Sequence, residues 1–273
     1  MKTFTLIATA LLLGLAACAP SSQTENLNQP VATTNGIIGG TEVHDRHDAL
    51  RSVVALYDTG GGFLCTGTLI DKNLVVTAAH CIPQDISKML VIFGNKVQKT
   101  APMAKVNGAI AYPTWNPRSP RDQGDIAVVS FEGTTPDFFR PLPILPEQYA
   151  RVLRKGTLVM MLGYGLTDAI NKTGSGVLRY TSARIEDAQY GPTEILLDES
   201  LGKGTCSGDS GGPVIIMVGE QAHILAVTSR GDQFCNNKGV YTKTTAYKAW
   251  IDEAAGKLRK QAGGDHNNTF YGL

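Results

Sequence analysis

From Ile37 onward the chain is a succession of short apolar runs separated by polar turns. Runs at Ser52–Tyr57, Phe63–Ile70, Asn73–Ala79, Met89–Phe93, Ile126–Phe131, Thr157–Leu162, Pro213–Val218 and His223–Thr228 are short and rich in Val and Ile, as strands are. Gly60-Gly61-Gly62, Asp71-Lys72-Asn73 and Asn116-Pro117 fall between runs and read as turns. No helical pattern alternates with these strands, which argues against a parallel α/β sheet. Many short strands at regular spacing predict a barrel or a sandwich. One helix is predicted near the end. Thr244 or Thr245 would cap it, and Tyr247, Trp250, Ile251, Ala254 and Leu258 follow at helical spacing. Gly263-Gly264 would stop it, and Asp265 to Leu273 reads as a loose tail.

Residues 1–17 have a different pattern. Lys2 supplies a positive end, Phe4 to Ala17 is apolar, and small residues close the stretch, as in a secretory signal peptide. Leu15-Ala16-Ala17-Cys18 resembles a bacterial lipobox, in which the cysteine thiol takes the lipid and becomes the new N-terminus. Ordinary secretion is the alternative, but cleavage after Ala19 would leave Pro20 just past the cut. The lipobox implies an exported protein of a Gram-negative bacterium, anchored to a membrane through Cys18. Ala19 is not the aspartate that retains lipoproteins on the inner membrane, so the outer membrane is expected. Stable anchoring takes more than one acyl chain. Residues 18–36 are polar and turn-prone and read as a tether or propeptide.

Beyond Cys18 four cysteines remain: Cys65, Cys81, Cys206 and Cys235. An even number in an exported chain points to disulfides, and spacing alone leaves three pairings open. There is no Cys-x-x-Cys and no clustered His, so no metal site is expected. The 273 residues carry 24 acidic and 25 basic side chains, a formal net charge of +1. That balance gives no electrostatic footprint for nucleic acid. Thirty glycines and 13 prolines fit a globular fold with many turns.

The densest chemical signal is Gly208-Asp209-Ser210-Gly211-Gly212-Pro213. A serine among glycines has an unobstructed hydroxyl, and flanking glycines let backbone N–H groups face a developing oxyanion. Such a nucleophile needs a base, and the base needs an orienting acid. Thr77-Ala78-Ala79-His80-Cys81 places a histidine at a strand end, and Gly124-Asp125-Ile126-Ala127-Val128-Val129 places an aspartate at the head of a buried strand. Together, in the order His, Asp, Ser, these motifs resemble the chymotrypsin/trypsin family of serine endopeptidases. Ile37-Ile38-Gly39-Gly40, Cys65 to Ile70, Leu162-Gly163-Tyr164-Gly165, Val240 to Lys243 and Trp250-Ile251 extend the resemblance from Ile37 to about Lys257.

The resemblance implies an all-β fold of two six-stranded antiparallel β-barrels with a C-terminal α-helix, over 37–260. The barrel boundary is expected near 140–155, with 261–273 as a tail. It implies a triad of His80, Asp125 and Ser210 acting on protein or peptide substrates without a cofactor, and an oxyanion hole from the N–H groups of Gly208 and Ser210. Ser229 would hydrogen-bond the triad aspartate. Cys65 would pair with Cys81, and Cys206 with Cys235. In the family, cleavage frees an N-terminal amine that pairs with the aspartate before the nucleophile, here Ile37 and Asp209. Asn35-Gly36 precede that point instead of Arg or Lys, so the activating protease is of an unknown kind.

The substrate pocket would be formed by Gly204 at its base and Gly231 and Gly239 on its walls. With no carboxylate evident at the base, an apolar or aromatic residue before the scissile bond is expected, although Asp232 is nearby and Arg230 replaces the usual tryptophan. Two other readings compete. Gly208 to Gly212 also fits the nucleophile elbow of an α/β-hydrolase, but that fold needs a helix after the serine and its histidine later in the chain. A catalytically silent surface lipoprotein could use the same barrels as a binding module.

Overall fold

The computed structural model describes residues 37–44, 51–116, 118 and 124–264. The signal peptide, Cys18, the tether and the last nine residues lie outside the described residues.

The strands, in chain order, are β1 (Thr41–Glu42), β2 (Val53–Asp58), β3 (Phe63–Asp71), β4 (Leu74–Thr77), β5 (Met89–Ile92), β6 (Met103–Ala111) and β7 (Ala127–Phe131). There follow a short helix α1 (Glu147–Ala150) and then β8 (Leu158–Gly163), β9 (Arg179–Asp187), β10 (Glu194–Asp198), β11 (Pro213–Val218), β12 (Gln221–Gly231) and β13 (Lys238–Lys243). The chain ends in α2 (Lys248–Gly264).

Strands β2–β3–β4–β7–β6–β5 close into one barrel. In the second half the sheet runs β9–β10–β13–β12–β11–β8, and a β8–β9 pairing closes it; β1 adds to the edge at β9. All these pairings are antiparallel, so the fold is two six-stranded antiparallel barrels and a terminal helix, as expected.

The burial pattern explains why so many strands read as unbroken apolar runs. Val54 and Leu56 of β2, Val75 of β4 and Val129 of β7 fill the first barrel with Phe93, Phe131 and Phe139. Their neighbours Val53, Ala55, Leu74, Val76 and Val128 face outward into a second cluster with Leu162, Tyr164, Ile215 and Val227 from the other half. A strand buried on both faces has no polar side to show. The second barrel is filled by Val159, Met161, Ile185, Ile195, Leu197, Val214, Leu225 and Tyr241.

Helix α2 packs its Ile251, Ala254, Ala255 and Leu258 into the shared cluster. Burying each of the larger two is worth about 1.5–3 kcal/mol. Gly108 of β6 permits the approach, because a Cβ there would stand 2.7 Å from Leu258 Cδ2. Tyr112 meets Tyr247 and Trp250 edge to face, and Arg259 pairs with Asp71 of β3. The expected cap is a correction. Thr244–Tyr247 form a 3₁₀ turn ahead of the helix, and Thr244 Oγ1 donates back to the carbonyls of Ile224 and Leu225. Its hydroxyl therefore ties the turn to β12 and is not available to the first helical amides.

Candidate active site

β4 ends at Thr77, and a 3₁₀ turn over Ala79–Cys81 presents His80 at the rim of the first barrel. Asp125 lies just before β7, the strand beside β4. The imidazole Nδ1 lies 2.8 Å from Asp125 Oδ2, and the His80 amide donates to Oδ1 at 3.0 Å. A third donor, Ser229 Oγ, reaches Oδ2 at 2.7 Å from the second barrel. Ser229 is the extra residue of a β-bulge, since Thr228 pairs with Tyr241 and Arg230 already with Val240. Bulges re-aim side chains in this way. Burial alone would raise the Asp125 pKa, but the hydrogen bonds and charge of His80 and the hydroxyl of Ser229 outweigh it and hold the carboxylate below its usual value.

Ser210 belongs to the loop between β10 and β11, wedged between the two halves. Its carbonyl accepts from the Thr66 amide at 2.8 Å, and Thr66 Oγ1 donates to the Gly208 carbonyl at 2.8 Å. Cys81 Sγ is 3.5 Å from the Ser210 carbonyl, so the nucleophile loop abuts the residue next to His80. Glycine is required here. Gly211 has φ +78°, and a Cβ on it would stand 2.0 Å from Thr77 Oγ1 and 2.5 Å from the Thr66 carbonyl. Among the described residues the amides of Asp209, Gly211 and Gly212 donate to Cys206, Thr228 and Asp209, whereas those of Gly208 and Ser210 have no partner. Ser210 Oγ likewise makes no hydrogen bond among the described residues. Such bonds tighten when substrate arrives.

Both disulfides are formed, Cys65–Cys81 across the histidine turn and Cys206–Cys235 beside the serine loop. Among the described residues Cys65, His80 and Cys81 are the one grouping of metal-type ligands, and its two sulfurs are committed to each other.

Asp209 is fully buried. Its Oδ1 accepts from the Gly165 amide at 2.7 Å and its Oδ2 from the Cys206 amide at 2.9 Å. Burial dominates over these bonds, and with the nearby Glu199 carboxylate it pushes the pKa up to about 7. Ile37 is also fully buried, and Ile38 bridges to Gly204. Of the three pocket glycines, Gly204 and Gly239 are buried and Gly231 is exposed.

Sequence reasoning missed three residues. Thr66 links β3 to the serine loop; it stands inside the Cys65–Ile70 stretch that resembles the family, but nothing there marks this role. Glu194 holds Arg230 through both carboxylate oxygens, with Nη2 to Oε2 at 2.8 Å. Glu199 is buried beside Gly204 and Gly239.

Comparison with known proteins gives a consistent picture. The profile described as Trypsin matches residues 37–251. The chain is similar to a chymotrypsin of Phaedon cochleariae, 30% identical over 83% of this chain and 85% of that one. It is similar to human granzyme M, 27% identical over 81% and 90%. It is also similar to dog chymotrypsin-like elastase family member 1, 28% identical over 82% and 94%.

Proposed function

Because this chain belongs to the trypsin family of serine proteases, we propose that it is an endopeptidase working through His80, Asp125 and Ser210. The observation that carries the reading is the His80–Asp125 hydrogen bond of 2.8 Å, with the carboxylate held by two further donors. An ionised carboxylate only accepts, so Nδ1 carries the proton and Nε2 is left as the basic nitrogen. Ser210 Oγ attacks the scissile carbonyl carbon while its proton passes to His80 Nε2. The tetrahedral oxyanion lies against the amides of Gly208 and Ser210. His80 then gives the proton to the leaving amine as the C–N bond breaks, which leaves an acyl-enzyme. Water, deprotonated by the same nitrogen, releases the acid and restores Ser210. Losing one oxyanion donor costs about 10²–10³ in rate.

The chain is made as a zymogen in this reading. Cleavage before Ile37 frees an amine, and Asp209 receives it. A buried carboxylate with a raised pKa suits that role, because an ammonium arriving beside it compensates its desolvation. The protein is exported, held at a bacterial outer membrane through lipidated Cys18, and released as residues 37–273 when an unidentified protease cuts the tether.

The test is fluorophosphonate labelling of the full chain before and after cleavage at Ile37, with Ser210→Ala as control. Labelling is expected only after cleavage and only with Ser210 present. A folded, processed protein that takes no label would sink the reading in favour of a silent binding module. Full labelling with Cys18 still joined to the domain would sink the zymogen step alone.

A further inference from the structure

Glu199 follows β10, its amide bonded to the Asn237 carbonyl at 2.9 Å and its side chain about 1% exposed. One carboxylate oxygen is crowded with donors. Oε1 accepts from the Thr205 amide at 3.2 Å, from Thr205 Oγ1 at 3.1 Å and from the Tyr241 hydroxyl. The other, Oε2, is buried and has no hydrogen-bond partner among the described residues.

Its position follows from two missing side chains. A Cβ on Gly204 would stand 2.9 Å from Oε2, and one on Gly239 would stand 2.5 Å from Oε1. The carboxylate therefore fills the space that these two glycines leave beside the serine loop, where the resemblance to the family puts the substrate pocket. Gly231, opposite Gly239 on β12, is exposed, and a Cβ there would meet nothing nearer than the Lys238 carbonyl at 3.7 Å.

Other acids lie near this carboxylate. Asp232 and Asp209 both lie close enough to act electrostatically on the buried acids of this cluster. Arg179, which acts on Asp209, is engaged by Glu42, as Arg230 is by Glu194 and Lys238 by Glu186. A buried carboxylate with one unbonded oxygen is costly unless a cation meets it.

We infer that Glu199 is a specificity-determining residue, and that it selects a substrate with arginine or lysine before the scissile bond. This replaces the uncharged pocket expected from sequence, and it rests on the endopeptidase reading above. A rival recipient for Oε2 is the amine freed at Ile37, since the Gly204 amide is bonded to the Ile38 carbonyl at 3.1 Å. That pairing would serve activation and would favour no substrate.

The experiment uses enzyme processed from the full chain, with peptides that differ only in Arg, Lys, Leu or Phe before the cut. Wild type is expected to prefer Arg and Lys. In Glu199→Gln, which keeps the size of the side chain, the Arg-to-Leu ratio of kcat/KM should fall about 10²-fold. Calorimetric binding of benzamidine, a small amidinium, to the wild type gives a readout independent of the variant's folding, and binding is expected. Preference for Leu or Phe, an unchanged ratio in a variant that still labels at Ser210, or absence of benzamidine binding to a labelled wild type would each overturn the inference. An equal fall on all four peptides would overturn it in favour of the Ile37 amine. Failure of the processed wild type to label at Ser210 would bring down the endopeptidase reading, and this one with it.

Discussion

Asp125 and Asp209 are the same residue type, and both are buried. Asp125, at the head of β7, accepts from His80 twice and from Ser229, and its pKa is lowered. Asp209, in the loop before β11, accepts among the described residues only from the amides of Gly165 and Cys206, and its pKa is raised to about 7. The contrast is one of partners. The first acid faces an imidazole that can share or accept charge, while the second is hydrogen-bonded to neutral dipoles alone, with the Glu199 carboxylate raising its pKa and the Arg179 guanidinium lowering it from further off. In the proposed mechanism the histidine side thus already has its hydrogen bonds, whereas among the described residues Asp209 is in hydrogen-bonding contact with no cation.

The largest test of this contrast is Asp125→Asn. An amide offers Nδ1 a donor as readily as an acceptor, so the tautomer with a basic Nε2 is no longer enforced. The kcat of the processed enzyme is expected to fall about 10⁴-fold, read in peptide hydrolysis with little change in KM.

Next in size is the pH dependence of the uncut chain. A carboxyl whose folded pKa lies above its unfolded value of 3.8 binds its proton more tightly when folded. Its contribution to stability is full below about pH 4 and is lost as pH rises through about 7. The loss reaches at most about 4 kcal/mol, and the raised Glu199 works in the same direction. Thermal unfolding should show the uncut protein weaker at pH 8 than at pH 5, a slope that Asp209→Asn and cleavage before Ile37 each reduce to the part due to Glu199. A slope that neither change reduces would mean that Asp209 is not a source of it.

The smallest effect is expected from Ser229→Ala, which takes one of three donors from Asp125. About a tenfold loss of kcat should accompany it, equivalent to one charge-assisted hydrogen bond. The Asp125 pKa should rise in parallel, so the stability that depends on its ionised form is lost at a higher pH than in the wild type.

The strands that could be read from the chain are those buried on both faces, such as β2, β4 and β7. β9 was hidden because its inward positions include Arg179 and Thr181, both buried, which break the apolar alternation. β6 alternates with exposed Lys105 and Met103 and carries Gly108 to admit the helix. The histidine, aspartate and serine stand in short local motifs and were legible for that reason. The aim of Ser229 depends on a bulge, which is a property of two strands and not of one segment. Glu199 has no motif at all. It reaches its place because Gly204 and Gly239, five and 40 positions away in the chain, have no side chains to occupy it.

The strap formed by α2 has a consequence for synthesis. Ribosomes make the first barrel early, yet part of its outer surface, on β6 and β7, is covered by α2 from the last stretch of the chain. Until Ile251 and Leu258 have been made, that surface stays open to solvent and to chaperones or degradative proteases. A product cut short before the helix would thus carry both serine and histidine segments but display a sticky apolar face. The terminal helix is thus the last piece that closes the apolar outer surface of the first barrel.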